Sequence, residues 1–370
     1  MDIPFLKKLR LPGFSLDFLK GKPSRTVGID VGIHSAKVVQ LHYEKERAIL
    51  ETYGELLSGK YLKTSEGGLP AGGGGFLRYT DADIADLLRD ILRESNVTAK
   101  DAVIGVPATS SFVTPIPFPK IAIKEISQAI PFEARKYVPI PIAEVTLDWE
   151  VIEETDQGVT VLLVAVPKEV IEKFKRISQM LDITLVALEV ETFSIVRSLM
   201  GMDTTPTLIL NMGHYTTTVA VVDRGKLRMS HNISRGSEEL TRALAQGMGI
   251  NQERAEAIKQ DIGIEERVEQ KEITSVLTPL TDSLLAEIER IVALYNRRTD
   301  RKIQKINLTG GGSHMKGLID YTSTRFGIEV TRGNPFARVV APAFLQPMLR
   351  DIGPNFSTAV GLALHEITTR

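Results

Sequence analysis

The 370-residue sequence predicts an α/β protein of two duplicated lobes, the first interrupted by a small α/β subdomain. Three observations carry that prediction. Val27–Leu41, VGIDVGIHSAKVVQL, and Leu208–Val222, LILNMGHYTTTVAVV, share an apolar run, a polar turn and a second apolar run at a constant offset of 181 residues. Asp30 aligns with Asn211, Gly32 with Gly213, Ser35 with Thr216 and Val38 with Val219. Each copy is followed by a third strand-like run and then by helical periodicity. The length itself exceeds what one ordinary hydrophobic core organises, so two or more lobes are expected.

In the first lobe, Val27–Val31, Ala36–Tyr43 and Ala48–Leu57 read as successive strands, the first two joined by the turn GIHS. A helix follows at Asp81–Ser95, with Thr80 placed to cap it. The intervening SEGGLPAGGGG has no periodicity and reads as a surface loop; no Gly-Lys-Ser/Thr follows it, as a P-loop requires. Asp101–Pro107 is a buried-strand candidate. The block 113–186 then reads as a small βαββα insertion, with helices at Lys124–Tyr137 and Lys168–Leu181 and two strands around GVTVLLVAVP. The strand ITLVALEV runs into a helix beginning near Glu191, and residues 187–206 return the chain to the first lobe. The second lobe, 207–356, opens with strands at Thr207–Met212, Thr217–Val222 and Lys226–Asn232. Helices at Ser237–Met248, Gln252–Ile262 and Ile273–Thr299 follow, then the strand KINL, the loop TGGGS, a helix to Phe326 and the strand IEVTR. The last segment, 357–370, has a helical apolar pattern and is expected to pack back on the first lobe.

Composition excludes several function classes. Hydrophobic content of 43% and charged content of 25% are those of a globular protein, and a net charge of -1 gives no field for nucleic acid. With no cysteine there are no disulfides, thiolate metal sites or cysteine nucleophiles. No apolar run reaches the length of a membrane span. The N-terminal arm, residues 1–25, has charges interrupting every apolar run, unlike a signal peptide. Its Ile3, Phe5, Leu6 and Leu9 can share one helical face, so a peripheral membrane contact and a simple loose arm both stand as readings.

Four elements point to chemistry. Tight turns with glycine direct backbone N–H groups at one point, which suits phosphate. The first offers Gly32, Ile33, His34 and Ser35, with Lys37 two residues on; the second offers Gly213, His214, Tyr215 and Thr216. Either turn alone reads as a plain hairpin; the duplication in fixed register strengthens the pair. The third element is LTGGGSHMKGL, whose glycines let a flat ligand lie on the backbone and whose Ser313 can cap the next helix. In the fourth, Glu256 and Lys259 stand three apart on one helical face; a surface ion pair is the simpler reading.

Together these elements resemble the actin-like ATPase superfamily over nearly the whole chain. Within it the resemblance is to the PilM family of type IV pilus assembly proteins, relatives of the division protein FtsA. VGIDVGIHSAKVVQL, FEARKYVPIPIAEVTLDWEVI, LEVETFSIVRSL, SRGSEELTRALA and INLTGGGSHMKGLIDYTSTRFGIEVTRGNPF carry it. The resemblance implies an actin-like fold of two RNase H-like lobes with an FtsA/PilM-type insertion, and ATP bound between the lobes with Mg²⁺. It implies that Asp30 orients the cation through its waters, that Ser35 and Lys37 meet the phosphates, and that Gly213–Thr216 hold the phosphate tail. Glu256 and Lys259 would contact ribose and base, Gly310, Gly311 and Gly312 with Met315 would form the adenosine floor, and Glu191 would orient a water. It also implies a cytoplasmic scaffold at the inner membrane, bound to the cytoplasmic N-terminal tail of a PilN-like protein and coupled to the assembly motor.

The second turn departs from the superfamily pattern, which begins it with an aspartate near the cation. Asn211 is neutral, though its amide oxygen can still help hold a hydrated Mg²⁺. Phosphoryl transfer rests on positioning and charge stabilisation, so losing an anion there should hurt turnover more than binding. Slow or absent hydrolysis is therefore expected; an alternative metal shell that preserves turnover is the competing reading. An FtsA-like filament and membrane tether is the runner-up function. A small-molecule kinase would need an acid such as Asp148, Glu150 or Glu189 in a substrate pocket. His34, His214 and His314 read as turn residues rather than a shared metal site, and Trp149 as a packing residue.

Overall fold

The computed structural model describes residues 25–44, 47–62, 76–120, 123–265, 270–297 and 299–365. Nearly all of the N-terminal arm and the loop SEGGLPAGGGG lie outside the described residues. Packing divides the chain into two units. One comprises the described parts of Met1–Gly201, Pro335–Ile352 and Phe356–Arg370, the other those of Met202–Asn334 with Gly353–Asn355.

In the first unit, β1 (Arg25–Val31), β2 (Ser35–Glu44) and β3 (Arg47–Leu57) form an antiparallel meander. Helix α1 (Asp81–Glu94) starts at Thr80, whose Oγ1 accepts from the Asp83 backbone N–H (3.1 Å) while Asp83 accepts from the Thr80 N–H (3.3 Å). This reciprocal cap satisfies two backbone donors that the first turn leaves open. β4 (Asp101–Val106) then runs parallel to β1, and β8 (Thr184–Val190) parallel to β4, giving the order β3-β2-β1-β4-β8.

Between β4 and β8 the chain makes β5 (Phe112–Phe118), α2 (Ile123–Glu133), β6 (Val145–Thr155), β7 (Gly158–Pro167) and α3 (Lys168–Met180). The βαββα order agrees with the sequence pattern, but the packing draws the boundary differently. β5, β7 and β6 form their own sheet, closed by α2 around Ile116, Ile126, Val161 and Leu163. α3 instead puts Val170, Phe174 and Ile177 into the core of the main sheet, beside Leu87 and Leu88 of α1. An amphipathic helix goes where its apolar stripe is covered, and here that is the parallel sheet, to which β8 also belongs. α2 is likewise shorter than its apolar pattern: Pro131 lies within it, and Ala134–Lys136 make a single tighter turn.

The other face of the main sheet carries α4 (Glu191–Met200) and the last described helix, α10 (Ser357–Ala363). Alternation along β1 divides the labour: Val27, Ile29 and Val31 face α1 and α3, while Gly28 lies under α10. A Cβ on Gly28 would sit 2.2 Å from the Ala359 carbonyl oxygen, and one on Gly361 would sit 1.9 Å from that of Ser194. Glycine is thus required for α10 to touch both the strand and α4.

A buried ion pair fixes that contact. Arg197 of α4 donates to both carboxylate oxygens of Glu189 (2.9 and 2.7 Å) and to the Gly361 carbonyl (2.7 Å), and His365 Nδ1 lies 2.8 Å from Glu189 Oε2. Burial pushes the Glu189 carboxyl up, but the Arg197 charge and the hydrogen bonds from His365 and Arg197 outweigh it and hold it at about 2.

The second unit repeats the plan. β9 (Thr207–Met212), β10 (Thr217–Asp223) and β11 (Lys226–Ile233) form the meander, and β12 (Lys305–Thr309) and β13 (Glu329–Arg332) add in parallel, in the order β11-β10-β9-β12-β13. Its helices are α5 (Ser237–Met248), capped by Gly249 at φ +63°, α6 (Gln252–Asp261), α7 (Lys271–Asn296) and α8 (Leu318–Phe326). The sequence reading carries the second lobe to residue 356, whereas Pro335–Ile352, ending in α9 (Gln346–Ile352), packs with the first unit. Val340 pairs with the edge of β3 through Leu50 and Ala48, and Phe336 packs edge-on against Tyr53.

Replacing the buried pair is expected to show in stability. Glu189→Gln should cost about 3 kcal/mol near neutral pH. A carboxyl with a depressed folded pKa contributes above its unfolded value, 4.5, and loses that contribution as pH falls towards about 2. The deficit in urea unfolding should therefore shrink across that window; a deficit constant with pH would mean the Glu189 charge plays no part.

Candidate functional site

The two hairpin turns close in the same way. Gly32 N–H donates to the Ser35 carbonyl (3.2 Å) and Gly213 N–H to the Thr216 carbonyl (2.9 Å). The first N–H of each turn is spent on closing it, so a phosphate would be met by those inside: Ile33 and His34, or His214 and Tyr215. Each turn is also braced by the next element. Ser58 N–H donates to the His34 carbonyl (2.9 Å), while Ser237 and Glu238 N–H donate to those of Gly213 and His214 (3.0 and 2.9 Å). Gly236 permits the second brace, since a Cβ there would lie 2.4 Å from the His214 oxygen.

The strand registers agree as well. Asp30 lies opposite Lys37, which lies opposite Glu55, so three charged side chains form a row across β1, β2 and β3. At the corresponding positions, Asn211 lies opposite Thr218, which lies opposite Asn232. The first row is acid–base–acid; the second is wholly neutral, with Thr218 Oγ1 donating to Asn232 Oδ1 (3.1 Å). The amide at 211 is thus one member of a neutral set. An aspartate there would face a threonine across the strand where Asp30 faces a lysine.

In the charged row, Lys37 Nζ donates to Ser35 Oγ (2.7 Å), which donates to Glu55 Oε1 (2.7 Å), and Lys37 lies 3.4 Å from Glu55. Glu55 has no counterpart in the sequence-level site; it joins only through the antiparallel register of β3. Glu191 opens α4 and accepts the Ala108 N–H (3.0 Å). Burial, with the neighbouring Asp30 charge, pushes its carboxyl up to about 7. Asp30 is raised too, by burial first and by Glu55, against the pull of Lys37. Asp30, Ser35, Lys37 and Glu191 are therefore brought into one neighbourhood.

In the second unit the glycine loop lies against Asn211. Gly310 takes φ +79°, and a Cβ on it would lie 2.5 Å from Asn211 Oδ1 and 2.6 Å from the Met212 carbonyl. Gly310 N–H and Thr309 Oγ1 both donate to the Pro354 carbonyl (3.0 Å each), and His314 Nε2 lies 3.1 Å from Asn355 Oδ1. Ser313 does not cap a helix: its Oγ donates to the Gly310 carbonyl (2.7 Å) and locks the loop, and α8 starts only at Leu318. Gly311 is exposed and Gly312 is buried against Met212 and Ser237. Met315 is 2% exposed in the apolar core, so it supports the loop from beneath and presents no surface to a ligand.

Glu256 and Lys259 are not a surface pair. Lys259 is 2% exposed and its ammonium donates to Glu256 (2.7 Å), Thr241 Oγ1 (2.8 Å) and the Ser237 carbonyl (3.1 Å), which uses its three protons. Burial opposes its charge and lowers its pKa, with Glu256 pulling the other way. The pair ties α6 to the start of α5, beside the second turn.

The acids considered for a kinase are dispersed. Asp148 and Glu150 lie on β6 of the inserted sheet, and Glu189 is committed to Arg197. His214 packs edge-on against Tyr215, ring centroids 4.5 Å apart. Among the described residues no three His, Cys, Asp or Glu side chains are grouped to hold a metal by themselves. No helix among them is long and apolar enough to cross a membrane.

The chain matches the family model for type IV pilus assembly protein PilM over residues 28–367. Cell division protein FtsA of Rhizobium meliloti is 28% identical over 180 residues, 42% of this chain and 39% of the relative; that of Agrobacterium fabrum is 26% identical over 181 residues, with the same shares. The chain thus spans about two-fifths of the length of these relatives. Among solved structures, a PilM–PilN type IV pilus biogenesis complex superposes with a TM-score of 0.76 at 22% identity, covering 93% of this chain and 98% of that one. MreB 5 of Spiroplasma citri bound to AMPPNP gives 0.55 at 13% identity, covering 94% and 97%. EutJ of Carboxydothermus hydrogenoformans gives 0.56 at 16%, covering 93% and 90%. The fold is the actin-like one expected from the sequence.

The raised carboxyl of Glu191 makes a stability prediction for the ligand-free protein. A group held near 7 when folded and at 4.5 when unfolded keeps its proton longer in the native state, so stability falls as pH rises between those values. Glu191→Gln should remove that loss, gaining up to about 3 kcal/mol above pH 7 and nothing below pH 4.5. Urea midpoints measured across pH check this; a gain independent of pH would contradict it.

Proposed function

The chain belongs to the PilM family of type IV pilus assembly proteins, and we propose that it binds ATP with Mg²⁺ to set its shape while turning it over slowly or not at all. The observation that carries this reading is the pair of turns in identical register with charge kept on one side only. The first has a lysine, a serine and a half-buried aspartate; the second keeps the backbone turn and loses every charge.

The residues fit the ligand. Glycines at 32, 213, 236 and 310 let backbone lie where any Cβ would collide or crowd. Lys37 and Ser35 are donors suited to phosphate oxygens, and Asp30 supplies the oxygen chemistry that a hydrated Mg²⁺ takes. Bound Mg²⁺ supplies charge neutralisation at the phosphates. His214, Tyr215 and Thr216 contribute the second turn, with Asn211 offering a neutral oxygen. Of the glycine run Gly310–Gly312, the exposed Gly311 provides the adenosine floor through backbone, with Gly310 and Gly312 buried beneath it. Glu256 is the member of its pair left to meet the ribose, since Lys259 is spent on holding it. Glu191, its carboxyl raised to about 7 by burial and the Asp30 charge, is the group suited to orient a water, so the slow turnover proposed here rests on the neutral row at Asn211 and not on Glu191.

In the cell, the reading is a cytoplasmic scaffold held at the inner membrane through partners. The solved PilM–PilN complex supports a PilN-like cytoplasmic tail as the partner, and coupling to the assembly motor is proposed with it from the family resemblance. An FtsA-like division role draws only on partial matches.

Two experiments test this. Asn211→Asp places a half-buried anion opposite Thr218 with no cation across the strand; it should lower ligand-free stability by about 1–3 kcal/mol and recover with ATP and Mg²⁺. Phosphate release, near background in the wild type, should rise in this variant; robust wild-type turnover would refute the scaffold reading. A synthetic PilN-type N-terminal peptide should bind the purified chain in fluorescence anisotropy, and absence of binding with and without ATP would refute the partner assignment.

A further inference from the structure

The row Asp30–Lys37–Glu55 has one base between two acids, and Glu55 is the member that the nucleotide reading above leaves without a role. Its carboxylate accepts from Ser35 Oγ at 2.7 Å and lies 3.4 Å from Lys37 Nζ, the two side chains proposed to meet phosphate. Its side chain is 32% exposed and that of Lys37 13%, so Glu55 is the more open member of the pair. A phosphate approaching Lys37 therefore finds its charge already answered and a carboxylate alongside. The neutral row of the second unit, Asn211–Thr218–Asn232, shows that the same register folds without any charge. The acid at 55 is not a requirement of the strand.

We propose that Glu55 makes nucleotide binding conditional on a divalent cation, by engaging Ser35 and Lys37 and repelling phosphate that arrives without one. Like charges close together oppose association strongly, and an accompanying cation removes that opposition. Asp30 stands across Lys37 from Glu55, so the lysine faces an acid on each neighbouring strand and does not by itself offset the row. Glu55 acts as a specificity-determining residue: it favours the metal complex of a nucleotide over free nucleotide, and over other anions that lack a cation.

This rests on the nucleotide reading, and the experiment separates the two. The affinity of a non-hydrolysable ATP analogue is measured by calorimetry in EDTA and in saturating Mg²⁺, for wild type, Glu55→Gln and Glu55→Asp. Glu55→Gln keeps a hydrogen-bond acceptor for Ser35 without the charge. It should tighten binding in EDTA by about tenfold or more while changing affinity in Mg²⁺ little, so the ratio between the two conditions contracts. Glu55→Asp should keep the wild-type ratio. Wild-type binding with a ratio that Glu55→Gln leaves unchanged would overturn the role of Glu55 alone. No wild-type binding in Mg²⁺ would overturn the nucleotide reading, and this inference with it. Thermal unfolding of each variant confirms that it is folded.

Discussion

The bidentate contact between Arg197 and Glu189 is what the first unit is arranged around. It joins the end of β8 to α4 and, through the Gly361 carbonyl, to α10. α10 in turn lies directly on β1 at Gly28. Asp30 is the last residue but one of β1 and Glu191 the first of α4, so the same contact positions the two carboxyls at the candidate site. A buried ion pair contributes little net stability against an apolar replacement, but breaking one partner leaves an uncompensated charge. Its value here is positional: the bidentate geometry of Arg197 orients α4 against the end of β8, and glycine at 28 and 361 lets α10 close on it.

The duplication was kept in backbone and released in charge. Both turns close with the same hydrogen bond and both sheets have the same strand order, because those features depend on glycine and on alternation rather than on ionisable groups. The cross-strand rows diverged as sets. Asp30, Lys37 and Glu55 compensate one another, and Asn211, Thr218 and Asn232 need no compensation. Exchanging one member alone leaves an unmatched charge on a half-buried face, which is why the amide at 211 is better understood with Thr218 than by itself. In the function proposed above, the first turn would supply side-chain donors and cation chemistry and the second its backbone alone.

Much of this was legible in the sequence, because repeats and turns are local. The offset between Asp30 and Asn211 anticipated the matching registers, Thr80 was recognisable as a cap, and the glycine run at 310–312 marked a close approach of backbone. What escaped was set by long-range packing. Glu55 reaches the site only because β3 pairs with β2 in one register. Met315 and α3 are apolar stretches whose burial partners lie far off in the chain. Lys259 looked like half of an exposed helical pair until Thr241 and Ser237 surrounded its ammonium. Pro335–Ile352 follows the second lobe in sequence, yet Phe336 and Val340 find their partners on β3.

In the function proposed above, the two turns seat the phosphates of a nucleotide that stays intact. Amide hydrogen exchange tests it directly, because the N–H groups inside the turns are the ones assigned to phosphate. With ATP and Mg²⁺, exchange at Ile33, His34, His214 and Tyr215 should slow together and stay slow for as long as nucleotide is present without regeneration. Exchange unchanged at both turns, or protection that decays as ADP accumulates, would contradict the account.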